Sequence, residues 1–229
     1  MVVGNGLIAN AFSEFRESDR YLLFCSGVSN STSRNPADYA RESELLERSV
    51  VAHPEKQLVY FSTCSIGDPS MQESMYVAHK RRLEEWIATH CDAWSVFRLS
   101  NVVGRTPNAF TVLNFLVNAV RSGAHFRLWT GSTRNLIDID DVAAIVTAAL
   151  AQDLAQDRVL NVANPVSYPV PRIVAAIEAF LGRSGNFEPV PIGADFEIDT
   201  QPIATITAQL GLEFGDRYLE QLLHKYYQP

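Results

Sequence analysis

Met1-Val2-Val3-Gly4-Asn5-Gly6-Leu7-Ile8-Ala9 opens the chain, and its reading decides the fold. Two valines form a short strand, a pair of glycines turns it, and the segment from Leu7 to about Arg16 continues as a helix. Gly4, Gly6 and Ala9 fit the pattern G-x-G-x-x-A. Glycine at positions 4 and 6 lets the backbone turn tightly and come close to a pyrophosphate. The start of the next helix offers unpaired N–H groups and a positive dipole end to phosphate oxygens, and a small Ala9 lets helix and strand pack closely. Alone the motif is weak, since glycine pairs also make ordinary turns. Its place between a strand and a helix is what the mechanics require.

Outward from this loop, short apolar runs alternate with longer amphipathic segments to about residue 180, the rhythm of a parallel sheet covered by helices. Expected strands are Tyr21–Cys25, Leu58–Phe61, Trp94–Leu99, Phe126–Trp129 and Val159–Val162. Expected helices are one opened by Asn35-Pro36 and carrying Tyr39 to Val50, then Met75–Thr89, Asn108–Arg121, Val142–Leu150 capped by Asp140-Asp141, and Pro171–Leu181. After Gly182, glycine, proline and aspartate become dense, and a helical tail follows from about Ile203 to Tyr227. The expected organisation is a dinucleotide-binding domain over residues 1–182, shortened in its first half, and a small C-terminal part over 183–229 that packs over the substrate site.

The bulk properties exclude several classes. Hydrophobic residues make up 47 % of the 229, enough for a sizeable core, yet no apolar run approaches a membrane span. Formal charge is −7 with the positive residues scattered among acids, so nucleic acid is not an expected partner. Cys25, Cys64 and Cys91 are far apart and lack metal spacing, which reads as reduced thiols. No basic stretch precedes an apolar one at the N-terminus, so a cytoplasmic location is expected and no metal is.

Tyr76 and Lys80 stand four residues apart in Tyr76-Val77-Ala78-His79-Lys80, on one face of a helix. The chain holds only three lysines. An unperturbed phenol is a poor base near neutral pH, but a nearby ammonium favours the phenolate, and a phenol so tuned exchanges a proton with a hydroxyl or carbonyl. Thr63 ends a buried strand shortly before, where its hydroxyl could orient the same oxygen. Ser62 and Ser65 compete for that role, and a turn-capping hydroxyl is the plain alternative for any of the three. Cys64 has no evident base and reads as a small, half-buried residue. His79 and His125 are read as ordinary histidines.

Together these residues resemble the extended short-chain dehydrogenase/reductase family, in its NAD-dependent epimerase/dehydratase branch that acts on nucleotide sugars. Gly4, Gly6 and Ala9 match the glycine motif, with Val3 where the family's first glycine falls. Val59-Tyr60-Phe61-Ser62-Thr63 resembles the strand that ends in the catalytic Ser or Thr. Phe97 to Gly104 resembles R-x-x-N-x-x-G through Arg98, Asn101 and Gly104. Arg134-Asn135-Leu136-Ile137-Asp138-Ile139-Asp140-Asp141-Val142 is similar to R-D-F-I-H-V-D-D-V. The resemblance implies an α/β, Rossmann-type doubly wound parallel sheet with a small C-terminal substrate-binding part. It implies NAD or NADP as cofactor, held by Gly4, Asn5, Gly6, Leu7, Ile8, Ser26, Gly27, Ser62, Tyr76, Lys80, Leu99 and Asn101. Thr63, Tyr76 and Lys80 are the implied catalytic residues, and Asn101 and Arg134 the implied substrate contacts, with Arg98 and Arg127 as further phosphate candidates. For Arg98 a structural salt bridge is the competing reading.

The departures are informative too. A strand-helix-strand unit is missing between the glycine loop and Tyr21, and no carboxylate ends the Tyr21–Cys25 strand to hold the adenosine ribose, which leaves NAD and NADP both open. Arg34 is a candidate for a 2′-phosphate, against a solvated loop arginine. The 4,6-dehydratases resemble S-T-D-E where this chain has Ser62-Thr63-Cys64-Ser65, which disfavours dehydration. The expected activity is therefore epimerisation or keto-reduction of a nucleotide-linked sugar, by analogy in surface-polysaccharide precursor synthesis, by a homodimer. The alternative is a non-catalytic dinucleotide-binding sensor or partner protein derived from the same family.

Overall fold

The alternating apolar runs assemble as a parallel sheet in the computed structural model, which describes residues 1–228. Strand β1 (Val2–Val3) leads into helix α1 (Leu7–Ala11), and β2 (Tyr21–Phe24) into α2 (Pro36–Ala52). Strand β3 (Gln57–Thr63) is followed by 3-10 turns and α3 (Met75–His90), and β4 (Trp94–Leu99) by β5 (Asn101–Val103) and α4 (Val112–Ser122). Next come β6 (His125–Trp129), β7 (Thr133–Arg134), β8 (Leu136–Asp138), α5 (Ile139–Ala151) and β9 (Arg158–Val162). The chain ends with β10 (Tyr168–Pro169), α6 (Val170–Leu181), β11 (Asn186–Val190), α7 (Ala204–Gln209) and α8 (Tyr218–Tyr227).

The main sheet has the order β1-β2-β3-β4-β9, and every pairing is parallel. The two-residue period sends Leu23, Val59, Phe61, Phe97, Leu99, Leu160 and Val162 to one face, against Val142, Ile145, Val146 and Ala149 of α5. Leu22, Phe24, Leu58, Tyr60 and Val96 face the other way, against Leu46 of α2 and Leu83 and Ile87 of α3. With helices on both faces, β2 and β3 are buried along their whole length, as parallel strands must be. This is the expected Rossmann-type architecture, shortened beside its first strand. The usual order places the first strand inside the sheet. Here the order runs one way from β1, which is an edge strand among the described residues. That is where the missing strand-helix-strand unit would lie.

A second core joins α4, β6 and α6 to α8, through Leu113, Val117, Phe126, Tyr168, Ile173 and Ile177 against Leu219, Leu222 and Leu223. Strand β11 pairs in parallel with β6 from Asn186↔His125 to Val190↔Trp129. It is absent from the sequence-based expectations because its polar residues and Pro189 read as loop; proline is tolerated at a sheet edge.

Two helix starts differ from expectation. Asp138, with extended backbone, caps α5 by accepting from the Asp140 N–H at 2.9 Å, so Asp140 and Asp141 lie in the first turn, where they favour the dipole. Helix α4 begins at Val112 rather than Asn108, because the Asn108 side chain makes a turn with the Phe110 N–H at 3.0 Å. The expected helix after the glycine loop stops at Ala11 and tightens into a 3-10 turn over Ser13–Phe15.

Candidate active site

The loops after β1, β2, β3 and β4 leave the sheet at its carboxyl end, the position where open α/β sheets bind ligands. Between them lies a cavity of about 530 Å³. Asn5, Gly6, Leu7 and Ile8 line it from the glycine loop, and Ser26 and Gly27 from the loop after β2. Ser62, Thr63, Tyr76, Lys80, Leu99 and Asn101 complete the wall. Gly4 stands behind it. Its φ of +127° suits glycine alone, and a Cβ there would lie 2.8 Å from the Cys25 carbonyl oxygen. Gly4 therefore sets the close approach of the first two strand ends, while Gly6 begins α1 with no side chain capping the N–H groups behind it.

Among the described residues lining the cavity there is no aspartate or glutamate, whereas Arg41 and Lys80 are present. Ser62 Oγ and Ser100 Oγ, both in residues of that wall, are buried with no hydrogen-bond partner among the described residues. Buried hydroxyls are nearly always paired, so these two mark a surface shaped for a polar ligand. A wall free of carboxylates among its described residues, with Arg41 and the open N–H groups at the start of α1, fits a dinucleotide diphosphate, while Lys80 is already paired with Glu42. Arg34 is exposed and is not part of this wall. Arg41 of α2 is the arginine that reaches it, bonding Ser26 Oγ at 3.2 Å and the Ser26 carbonyl at 3.0 Å.

Thr63 and Tyr76 meet in this cavity. Thr63 Oγ1 accepts from the Ser65 N–H at 3.1 Å, so the turn-capping role is real, and its side chain lines the cavity with Tyr76. Burial pushes the Tyr76 pKa above its ordinary value, the Glu42 charge adds to this, and the hydrogen bond with Thr63 opposes both. The lowering expected from Lys80 does not occur. Lys80 Nζ lies 5.9 Å from the centre of the Tyr76 ring but is held elsewhere. It donates to Glu42 Oε1 at 2.7 Å, to Tyr60 Oη at 2.9 Å and to the Phe61 carbonyl at 3.3 Å.

Glu42 is the residue that sequence reading missed. It is 0 % exposed and Lys80 2 %, so neither charge can be solvated and each requires the other. The carboxylate collects four donors: Lys80, the Tyr60 hydroxyl at 2.7 Å, the Val28 N–H at 2.7 Å and His79 Nε2 at 3.1 Å. Arg82 approaches His79 Nδ1 at 3.1 Å. A guanidinium only donates, so Nδ1 accepts and the ring proton sits on Nε2, facing Glu42. A signal for Glu42 does exist in the sequence: Tyr39, Glu42, Leu46 and Ser49 form one helical stripe, and all four are buried.

Arg98, Arg127, Arg134 and Cys64 lie outside the cavity wall. Arg98 makes a two-pronged pair with Glu84, Nε to Oε1 at 3.0 Å and Nη2 to Oε2 at 2.6 Å, so its structural reading holds. Arg134 is half-buried and turns back onto the Thr133 carbonyl at 2.7 Å, and Arg127 is exposed on β6. Asn101 is in the wall, but its amide donates to the Asn135 carbonyl at 2.8 Å. Cys64 bonds the Arg98 carbonyl, and burial pushes its thiol up to about 12, so it is no nucleophile. Among the described residues no cluster of three potential metal ligands occurs, and no helix is long and apolar enough to cross a membrane.

Residues 26–163 match the NAD dependent epimerase/dehydratase family; the glycine loop lies before that stretch. No curated protein sequence matches the chain. Among solved structures it is similar to dTDP-glucose 4,6-dehydratase from Bacillus anthracis in complex with NAD, with TM-score 0.69 and 16 % identity over 97 % of this chain and 79 % of that one. It is also similar to UDP-glucose 4-epimerase from Thermus thermophilus in complex with NAD, at 0.68 and 17 % over 95 % and 81 %. A third likeness is to a GDP-D-glycero-L-gluco-heptose synthase from Campylobacter jejuni in the presence of NADPH, at 0.69 and 13 % over 97 % and 88 %. At these identities the likeness is one of fold.

Proposed function

The chain belongs to the NAD dependent epimerase/dehydratase family, and from that premise we propose that it reduces the keto group of a nucleotide-linked sugar. The cavity wall formed by Asn5, Gly6, Leu7, Ile8, Ser26 and Gly27 would hold NADH or NADPH, which would supply the hydride for the carbonyl carbon. Tyr76 gives its phenolic proton to the carbonyl oxygen, the C=O bond becomes CH–OH, and water returns a proton to the phenolate. Thr63 orients the same oxygen.

The observation that supports this reading is the placement of Tyr76 and Thr63 together in the cavity beside the glycine loop. Reduction and epimerisation would use the same proton relay, and reduction is the simpler of the two because the keto sugar need not turn over inside the pocket. Dehydration is disfavoured, since Cys64 and Ser65 stand where an acid and a base would be needed and the Cys64 thiol is held protonated. Arg41 is better placed than Arg134 to meet a phosphate, because it lines the cavity. Pairing of two copies through α2 and α3 belongs to the same proposal, and sedimentation giving only monomer would remove it.

One observation favours the second reading, a binding protein without turnover: Lys80 is neutralised by Glu42. Turnover of NADH and NADPH with keto sugars linked to UDP, GDP and dTDP, in wild type and Tyr76→Phe, separates the two. Reduction should fall by about 10²–10⁴-fold in the variant. Equal rates would end the catalytic reading. Cofactor binding with no turnover in the wild type would establish the second.

A further inference from the structure

The geometry points to Glu42 as a positioning residue for the proton relay: it holds the Lys80 ammonium and so keeps that charge from acting on the Tyr76 phenol. The assignment rests on the reductase reading, which it deepens. The Tyr76–Lys80 spacing alone would make the phenol acidic. Beside the burial of the phenol, what opposes this is a third residue, from another helix, within hydrogen-bond distance of the cation. Lys80 has three acceptors in Glu42, Tyr60 and the Phe61 carbonyl. An ammonium offers three protons, so its donor capacity is filled before Tyr76 is reached.

Three features show that the arrangement is built. The carboxylate is fully buried and fully bonded, with donors from the loop after β2, from β3 and from α3. Gly27 passes directly over the pair, where a Cβ would stand 2.8 Å from Lys80 Nζ and 3.1 Å from Glu42 Oε1. His79 is itself fixed, by Arg82 on one side and by the Tyr39 ring 4.9 Å away on the other.

The groups facing Glu42 are Lys80, His79 and Tyr76 from α3 and Tyr60 from β3. Arg82 stands behind His79, and Arg41, the next residue along α2, is turned outward to Ser26. Glu84 is paired with Arg98. Among the described residues Lys80 is therefore the single cation in direct contact with the carboxylate, and each charge offsets the other beside the phenol.

The test is a tyrosinate difference titration of the ligand-free protein, wild type minus Tyr76→Phe, which isolates one tyrosine among eight. In the wild type, Tyr76 should not ionise below about pH 10, the ordinary phenol value. Glu42→Gln frees the ammonium and should lower the Tyr76 midpoint by about one to three pH units, the usual effect of a close opposite charge. The alkaline limb of keto-sugar reduction should move down with it.

A purely structural Glu42 would lose stability on substitution and leave the midpoint in place, and that result overturns the assignment. A wild-type Tyr76 ionising near neutral pH overturns it as well, and that measurement decides the matter even if the glutamine variant does not fold. A shifted midpoint with no reduction of any keto sugar refutes the reductase reading and leaves the Glu42 assignment standing.

Discussion

Replacing Lys80 by methionine keeps most of the side chain's bulk but removes the cation that Glu42 faces. The carboxylate would remain 0 % exposed, with three donors and no counter-charge. Breaking a buried pair from one side costs about 3–5 kcal/mol. For a chain of this length that corresponds to a fall in Tm of about 6–20 °C. The pH dependence identifies the cause. In the wild type, burial by itself would raise the Glu42 carboxyl, but the Lys80 charge and the hydrogen bonds from His79, Lys80 and the Val28 N–H outweigh it and hold the group well below the usual carboxylate range. A depressed folded-state value gives stability that is present above the unfolded value, about 4.3, and lost as pH falls below it. In Lys80→Met the main opposing charge is gone, burial dominates and the folded-state value rises above the unfolded one. The variant then loses stability as pH climbs through that range. The gap between the two proteins should be small near pH 4 and widest near neutral pH. Urea unfolding at several pH values measures it, provided the slopes agree. A gap below about 1 kcal/mol at neutral pH, within the range of a surface pair, would refute the reasoning, and so would one that does not vary with pH.

Three further outcomes are expected. Gly27→Ala puts a methyl against Lys80 Nζ and Glu42 Oε1 and should destabilise by about 1–3 kcal/mol in urea; wild-type stability would mean that the loop does not close over the pair. Gly4→Ala forces a Cβ to 2.8 Å from the Cys25 carbonyl at a φ of +127° and should cost about 1–3 kcal/mol by thermal unfolding, whereas Gly6→Ala, with nothing within 4 Å of its Cβ, should leave stability nearly unchanged. Tyr218→Phe removes the hydroxyl that accepts from the Asp138 N–H at 2.8 Å and donates to Asp141 at 2.5 Å; a loss of about 1–3 kcal/mol is expected, and no loss would show that water replaces it.

The parallel sheet was legible because its strands are buried on both faces and read as unbroken apolar runs, as in Leu58 to Phe61. Most of the cavity wall was legible because it is local: the glycine loop, Ser62-Thr63 and the Tyr76–Lys80 turn are each short stretches with their own signature. What sequence could not supply is the partner of a charge. The lysine's neighbour comes from 38 residues away, on a helix whose stripe Tyr39-Glu42-Leu46-Ser49 signals burial but not what is met there. Arg41 was overlooked for Arg34 for the same reason, since only the packing of α2 decides which arginine turns toward Ser26. Strand β11 was hidden by its polar composition, because an edge strand in a small two-stranded sheet needs little apolar surface.

The pairing of β4 with β9 carries a consequence for how the chain folds. The two strands are neighbours in the sheet, yet everything from Asn101 to Asp157, including α4, β6 and α5, is inserted between them. Closing so long a connection is entropically slow, and such non-local pairings delay folding. During synthesis the first four strands can associate while β4 still presents an open hydrogen-bonding edge, the kind of surface that recruits other chains. Aggregation in refolding should therefore track the exposure of Val96 to Leu99, and it should subside only once Arg158 to Val162 has docked.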